Sequence, residues 1–148
     1  LSMANTQSAQ SQSKVFTLPI RVYYEDTDAG GVVFYANYLK FFERGRTEWL
    51  RNLGVNQAKL AEEQGRIFVV VGTQVRYRSP ARLDNLIEIK TSLSKVGNSS
   101  CSFEQIAERN GEVLVESSIQ ICCVDNQSFK PAPIPADIRS LFLSVQDN

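Results

Sequence analysis

Between Asn37 and Leu53 the chain carries one apolar stripe at helical spacing, Tyr38, Phe42, Gly45, Trp49 and Leu53, widened by Leu39 and Leu50. A stripe that broad and aromatic must be enclosed by other elements, and Gly45 lets one of them approach closely. The following segments supply the enclosure. Ile67 to Tyr77, Leu86 to Val96, Ser99 to Arg109 and Val113 to Val124 are β-branched or alternating, and their connections hold Pro80, Gly97-Asn98 and Asn110-Gly111, the last a strong hairpin signal. One alternating segment precedes the helix, with Phe16, Leu18, Ile20, Val22 and Tyr24 on one side. A curved antiparallel sheet wrapped around one long central helix buries both amphipathic faces in a single core, so the predicted fold class is α+β. Shorter helices are expected from Asn56 to Gln64, closed by Gly65, and from Pro135 through Phe142.

The 148 residues and their 43% hydrophobic content suit one domain, expected over 14–148. Residues 1–13, rich in Ser, Gln, Asn and Ala, have little to bury and are expected to form a disordered polar tail. Lys plus Arg number 16 and Asp plus Glu 16, so no overall field favours nucleic acid or an anionic membrane. No run approaches the roughly 20 apolar residues of a membrane span and no secretory signal is seen, which predicts a cytoplasmic protein.

Cysteine and histidine usage narrows the chemistry. The cysteines number three, and Cys122 and Cys123 in a strand would point to opposite faces, against both a disulfide scaffold and a zinc site. No metal or other cofactor is expected. Histidine is absent. Ser-His-Asp and Cys-His systems, HExxH metal sites and imidazole bases are thereby excluded, and an enzyme built on this chain must use carboxylates, hydroxyls, amides and dipoles. The segment Asp26-Thr27-Asp28-Ala29-Gly30-Gly31 reads locally as a turn, with Asp28 an ordinary turn residue on spacing alone.

The longer run alters that reading. Tyr24-Glu25-Asp26-Thr27-Asp28-Ala29-Gly30-Gly31-Val32-Val33-Phe34-Tyr35-Ala36-Asn37-Tyr38, followed by Phe42-Glu43-Arg44, resembles the opening motif of hydroxybenzoyl-CoA-thioesterase-like hotdog proteins, particularly the acyl-CoA thioesterases encoded beside the Tol-Pal envelope system. Val75-Arg76-Tyr77-Arg78-Ser79-Pro80-Ala81-Arg82-Leu83-Asp84 is similar to a second block of that family, and the likeness covers nearly the whole chain after the tail. At position 35 the Tol-Pal-associated enzymes carry histidine; this chain has Tyr35, as the hydroxybenzoyl-CoA enzymes do.

The resemblance implies a hotdog fold, an acyl-CoA substrate, and a homo-oligomer, dimer or tetramer, whose sites form between subunits; acyl carrier protein is a second implied thioester carrier. It makes Asp28 the catalytic carboxylate, either nucleophile or base for water, beside a helix start whose free amides and partial positive charge polarise the carbonyl. Coenzyme A is then part of the substrate. Tyr35 donates to the thioester or lines the acyl pocket, against a packing role in the core. Gly31 and Val32 are implied substrate contacts. Asn37 is read first as the helix cap and second as a substrate ligand. Glu43 borders the pocket or lies on a solvated flank. Arg76, Arg78 and Arg82 form a basic cluster suited to the phosphates of CoA, against an ordinary charged strand edge. A non-catalytic acyl-thioester binding or docking module is the alternative, favoured by tight binding without thiol release.

Overall fold

The computed structural model describes residues 14–147. The expected tail, residues 1–13, lies outside the described residues. Strand β1 (Phe16–Arg21) is followed by a single 3-10 turn (Tyr24–Asp26), the long helix α1 (Asn37–Asn52) and the short helix α2 (Gln57–Gln64). Strands β2 (Arg66–Tyr77), β3 (Leu86–Val96), β4 (Ser100–Arg109) and β5 (Glu112–Asp125) follow, then helix α3 (Ala136–Val145). The strands form one antiparallel sheet in the order β1-β3-β4-β5-β2. This is the α+β wrap expected from the patterning. Among the described residues no helix is long and apolar enough to cross a membrane.

Helix α1 packs against β3 and β1. Tyr38, Phe41, Phe42, Trp49 and Leu50 are buried, and at roughly 1.5–3 kcal/mol for each large apolar side chain the stripe is a main source of cohesion. The edge of Trp49 meets the face of Phe103 at 5.1 Å between ring centroids, and Phe142 of α3 closes the far end at 5.5 Å from Trp49. Gly45 lies where α1 comes nearest the sheet. There the fully buried Gln105 on β4 donates from Nε2 to the Phe42 carbonyl at 2.9 Å and to Thr91 Oγ1 of β3 at 2.8 Å. A polar knot inside an apolar interface is stable only when each member is bonded, and none of the described buried side-chain polar atoms lacks a partner.

Several local expectations hold in detail. Asn56 caps α2 by accepting the Lys59 amide at 3.0 Å, and Gly65 ends it with φ +64°. Asn110 and Gly111 both have positive φ, as the β4–β5 hairpin turn requires. Three expectations fail. Tyr24 does not continue the buried face of β1: the strand stops at Arg21, the chain curls into the 3-10 turn, and the ring is 81% exposed. Leu39 is exposed, because Phe41 fills the sheet-facing position of that turn. Asn37 is not the N-cap of α1; Ala36 occupies that place and supplies no side-chain bond.

Candidate active site

The segment between β1 and α1 is tied at each step. The Asp28 amide donates to the Val32 carbonyl at 2.9 Å and the Gly31 amide to the Asp28 carbonyl at 3.0 Å, while bridges Thr27–Val33 and Val32–Arg82 fasten the turn to itself and to the loop before β3. Gly31 sits at φ +77°, a conformation glycine takes without strain. Asp28 Oδ1 accepts the Gly30 amide at 2.8 Å. That bond fixes the carboxylate, and on this exposed residue Oδ2 has no partner among the described residues. No side chain caps α1; its Asn37 and Leu39 amides donate instead to the Phe34 and Ala36 carbonyls at 2.8 and 3.2 Å, and the helix start follows this carboxylate in the chain.

Asp26, two residues earlier, has a different task. It is buried, with Oδ2 accepting the Tyr23 amide at 2.9 Å and Oδ1 accepting Asn37 Nδ2 at 2.9 Å. Asp26 is thus a buried tie and not a solvated residue of the turn, and Asn37 takes the role of its donor. Its amide is 7% exposed and committed to Asp26, which pins the start of α1 to the 3-10 turn and leaves Asp28 between two fixed points.

Tyr35 is 64% exposed, which removes the alternative of a core tyrosine. It forms one wall of an aromatic cleft of about 250 Å³ with Val33, Tyr38, Tyr77 and Pro80. Its ring meets Phe34 at 4.7 Å and the edge of Tyr77 at 6.2 Å, and the Tyr77 hydroxyl donates to the Tyr35 carbonyl at 3.0 Å. The Tyr38 hydroxyl accepts the Ala81 amide at 3.0 Å, and burial pushes its pKa up, so it acts as a neutral tie between helix and loop. Tyr77 and Tyr38 were not singled out by residue reasoning; an aromatic at a strand end and one in a helical stripe carry no local mark of a shared cleft.

The arginines are divided. Arg76 and Arg78 line a shallow hollow on the outer sheet face, where Arg78 Nε pairs with Glu116 Oε2 at 2.5 Å; Arg78 also borders the aromatic cleft. Arg82 meets the Asp28 turn through its backbone bridge to Val32. Gly31 and Val32 thus lie between Asp28 and Arg82. Glu43 is exposed, with Oε2 accepting the Thr47 hydroxyl at 2.5 Å, and it stands at a separate cavity of about 200 Å³ between α1 and the sheet. No cluster of His, Cys, Asp and Glu suited to a metal ion occurs among the described residues.

Comparison with known proteins places this geometry in context. The family model described as the thioesterase-like superfamily matches residues 22–142. The acyl-CoA thioesterase YbgC of Haemophilus influenzae is 45% identical over 127 residues, covering 86% of this chain and 93% of that protein. A probable thioesterase from Bartonella henselae superposes with a TM-score of 0.78 at 37% identity, covering 82% of this chain and 99% of the other. A 4-hydroxybenzoyl-CoA thioesterase variant bound to 4-hydroxybenzoyl-CoA superposes at 0.81 with 17% identity, over 87% and 99% of the two chains, a likeness of fold alone. The exposed Asp28 turn, the helix start beside it and the sheet around the helix thus sit on a recognised framework, and the chain belongs to the thioesterase-like superfamily.

Proposed function

We propose that this protein hydrolyses acyl-CoA: water adds to the thioester carbonyl, the carbon–sulfur bond breaks, and the free acid and the CoA thiol leave. The observation that carries the reading is the Asp28 carboxylate, held through Oδ1 to the Gly30 amide on an exposed turn, with no partner for Oδ2 among the described residues. The free oxygen attacks the carbonyl directly or draws a proton from water, and helix amides stabilise the developing oxyanion. Tyr35, on the aromatic cleft, is a donor to the thioester, and Arg78 on that cleft, together with Arg82 bridged to Val32 of the turn, meets the phosphates of CoA. Acyl carrier protein presents the same bond and is a second carrier under this proposal, with the cytoplasm as its location.

The proposal includes a homo-oligomer. Strand β2 is an edge strand paired only to β5, and Val70, Val71 and Tyr77 along it are 49%, 63% and 46% exposed, a long apolar edge of the kind that seeks a partner. Antiparallel pairing of two β2 edges about their middle sets the Tyr77 end of one strand against the Arg66 end of the other. Each Asp28 turn and aromatic cleft then faces the partner's cavity beneath α1.

The test is thiol release from purified protein with short, long and aromatic acyl-CoAs, beside Asp28→Asn. The expected result is release by the wild type and a fall of at least 100-fold in the folded variant. Full activity in Asp28→Asn would remove Asp28 from the mechanism. Binding of acyl-CoA by the wild type without thiol release would make the protein an acyl-thioester binding module instead.

A further inference from the structure

The cavity beneath α1 contains a charge that the packing does not explain. Phe68, Phe103, Ile121 and Phe142 line it beside the polar Thr47 and Gln57, and Arg46 and Glu43 both reach it from the helix. The guanidinium has five N–H donors, and here it makes one hydrogen bond, from Nη1 to Gln105 Oε1 at 3.0 Å. That acceptor is neutral. Gln105 cannot turn away, since its Nε2 is held by the Phe42 carbonyl and Thr91 Oγ1. Among the described residues no carboxylate lies within ion-pair distance of Arg46.

The titratable groups facing Arg46 are Glu43 and Cys101. Glu43 is exposed and bonded to Thr47, so water screens its charge. The Cys101 thiol is pushed up to about 12 by burial and by the neighbouring Cys123 and Cys122 thiols, so it is neutral at physiological pH. Burial draws the Arg46 pKa down from the ordinary arginine value, the sign of a desolvated cation, but arginine keeps its proton at neutral pH. Glu43 lines the same cavity and supports the Arg46 charge from a distance, but it makes no ion pair with Arg46, so the guanidinium fork keeps unfilled donors there. A half-buried cation without a bonded carboxylate costs free energy that an incoming anion recovers, and the planar fork of arginine matches a carboxylate in two parallel bonds.

Size fixes the rest. An engineered cavity of roughly 150 Å³ accepts benzene, so about 200 Å³ accommodates a five- or six-carbon group with its end atoms and not a long fatty tail. We propose that this cavity receives the acyl group of the substrate and that Arg46 selects acyl groups ending in a carboxylate, the monothioesters of short dicarboxylic acids. The proposal rests on the hydrolase reading and on the β2 pairing that brings a partner's Asp28 to the cavity mouth.

Glutaryl-CoA and pentanoyl-CoA have the same five-carbon length and differ at the end Arg46 meets. The wild type is expected to favour glutaryl-CoA at least tenfold in kcat/KM. Arg46→Met is expected to remove most of this preference, losing tenfold or more on glutaryl-CoA while staying within threefold on pentanoyl-CoA. A wild-type preference for pentanoyl-CoA overturns the proposal, as does a ratio unchanged in Arg46→Met. Binding to Asp28→Asn gives a measurement independent of turnover and of any folding defect in Arg46→Met: glutaryl-CoA should bind at least tenfold more tightly than pentanoyl-CoA, and equal affinities overturn the Arg46 assignment. Absence of thiol release by the wild type alongside a tenfold binding preference would defeat the hydrolase reading and leave the carboxylate pocket standing.

Discussion

Replacing Gly45 by alanine separates the packing account of this fold from simple helix propensity. In a solvent-facing helix the change stabilises by about 1 kcal/mol. At this position a Cβ would stand 2.9 Å from Gln105 Nε2, 2.9 Å from Ile89 Cγ2 and 3.0 Å from Thr91 Oγ1, closer than side-chain carbons tolerate. The obstructing groups cannot retreat: Ile89, Thr91 and Gln105 are fully buried, and the two polar atoms bond each other at 2.8 Å. Helix α1 must therefore rise from the sheet or the polar knot must open. Overpacking costs about 1–3 kcal/mol and a weakened buried hydrogen bond about 1–3 more, so after the propensity gain a net loss of about 2–4 kcal/mol is expected. For a chain of this length that lowers Tm by roughly 5–15 °C. Urea unfolding followed by circular dichroism measures it, with thermal melting alongside. A Tm unchanged or raised in Gly45→Ala would refute the close approach of helix and sheet at that point.

Asn37→Ala leaves Asp26 Oδ1 buried without its 2.9 Å donor, and losing a hydrogen bond to a carboxylate costs about 1.5–3 kcal/mol. Tm should fall by several degrees and kcat should drop as the Asp28 turn loosens; wild-type stability together with wild-type kcat would show that the Asp26–Asn37 tie positions nothing. Cys101, with its pKa pushed up to about 12, should resist thiol-specific reagents at pH 8 in the native protein and react only on unfolding, as peptide mapping of the labelled cysteines can check. The sign of its pH effect follows from the raised value. The folded state holds the proton more tightly, so the contribution to stability is complete below the ordinary thiol pKa of about 9 and declines between pH 9 and 12. Between pH 8 and 10 the wild type should lose about 1 kcal/mol that Cys101→Ala does not lose, and parallel pH profiles for the two would contradict the assigned burial.

The contrast between what the sequence discloses and what it conceals has a physical basis. Periodicity reports which face of an element is apolar, because side-chain direction repeats with the backbone. The aromatic stripe and the alternating segments therefore reveal one enclosed helix and a wrapping sheet, with β3 legible to the residue at both ends. Turn chemistry is equally local, so Gly65 and Asn110-Gly111 could be placed before any coordinates. Where two short-range rules compete, residue preference alone does not show which prevails. Asn37 has the preferences of a helix cap, but Asp26 lies buried within reach, and bonding a buried carboxylate outweighs satisfying helix amides that water can reach.

Contacts that close across many residues leave no periodic trace. Tyr77 reaches back 42 residues to the Tyr35 carbonyl, and Arg46 finds its acceptor 59 residues on at Gln105. Charge composition conceals the second of these, since equal numbers of acidic and basic residues say nothing about one arginine drawn into an apolar cavity. A long contiguous motif points to the Asp28 turn, whereas the cavity that would decide its substrate is assembled from α1, α2, β2, β4, β5 and α3, none of which carries a pattern that marks a cavity. Under the proposed reading, attack on the thioester depends on a contiguous turn whose order is written in the chain. Acyl selection would then depend on side chains from six elements lining the cavity that Arg46 enters. Substitutions such as Arg46→Met can therefore redirect specificity while leaving the Asp28 turn intact, and specificity in this fold should vary more readily than the chemistry.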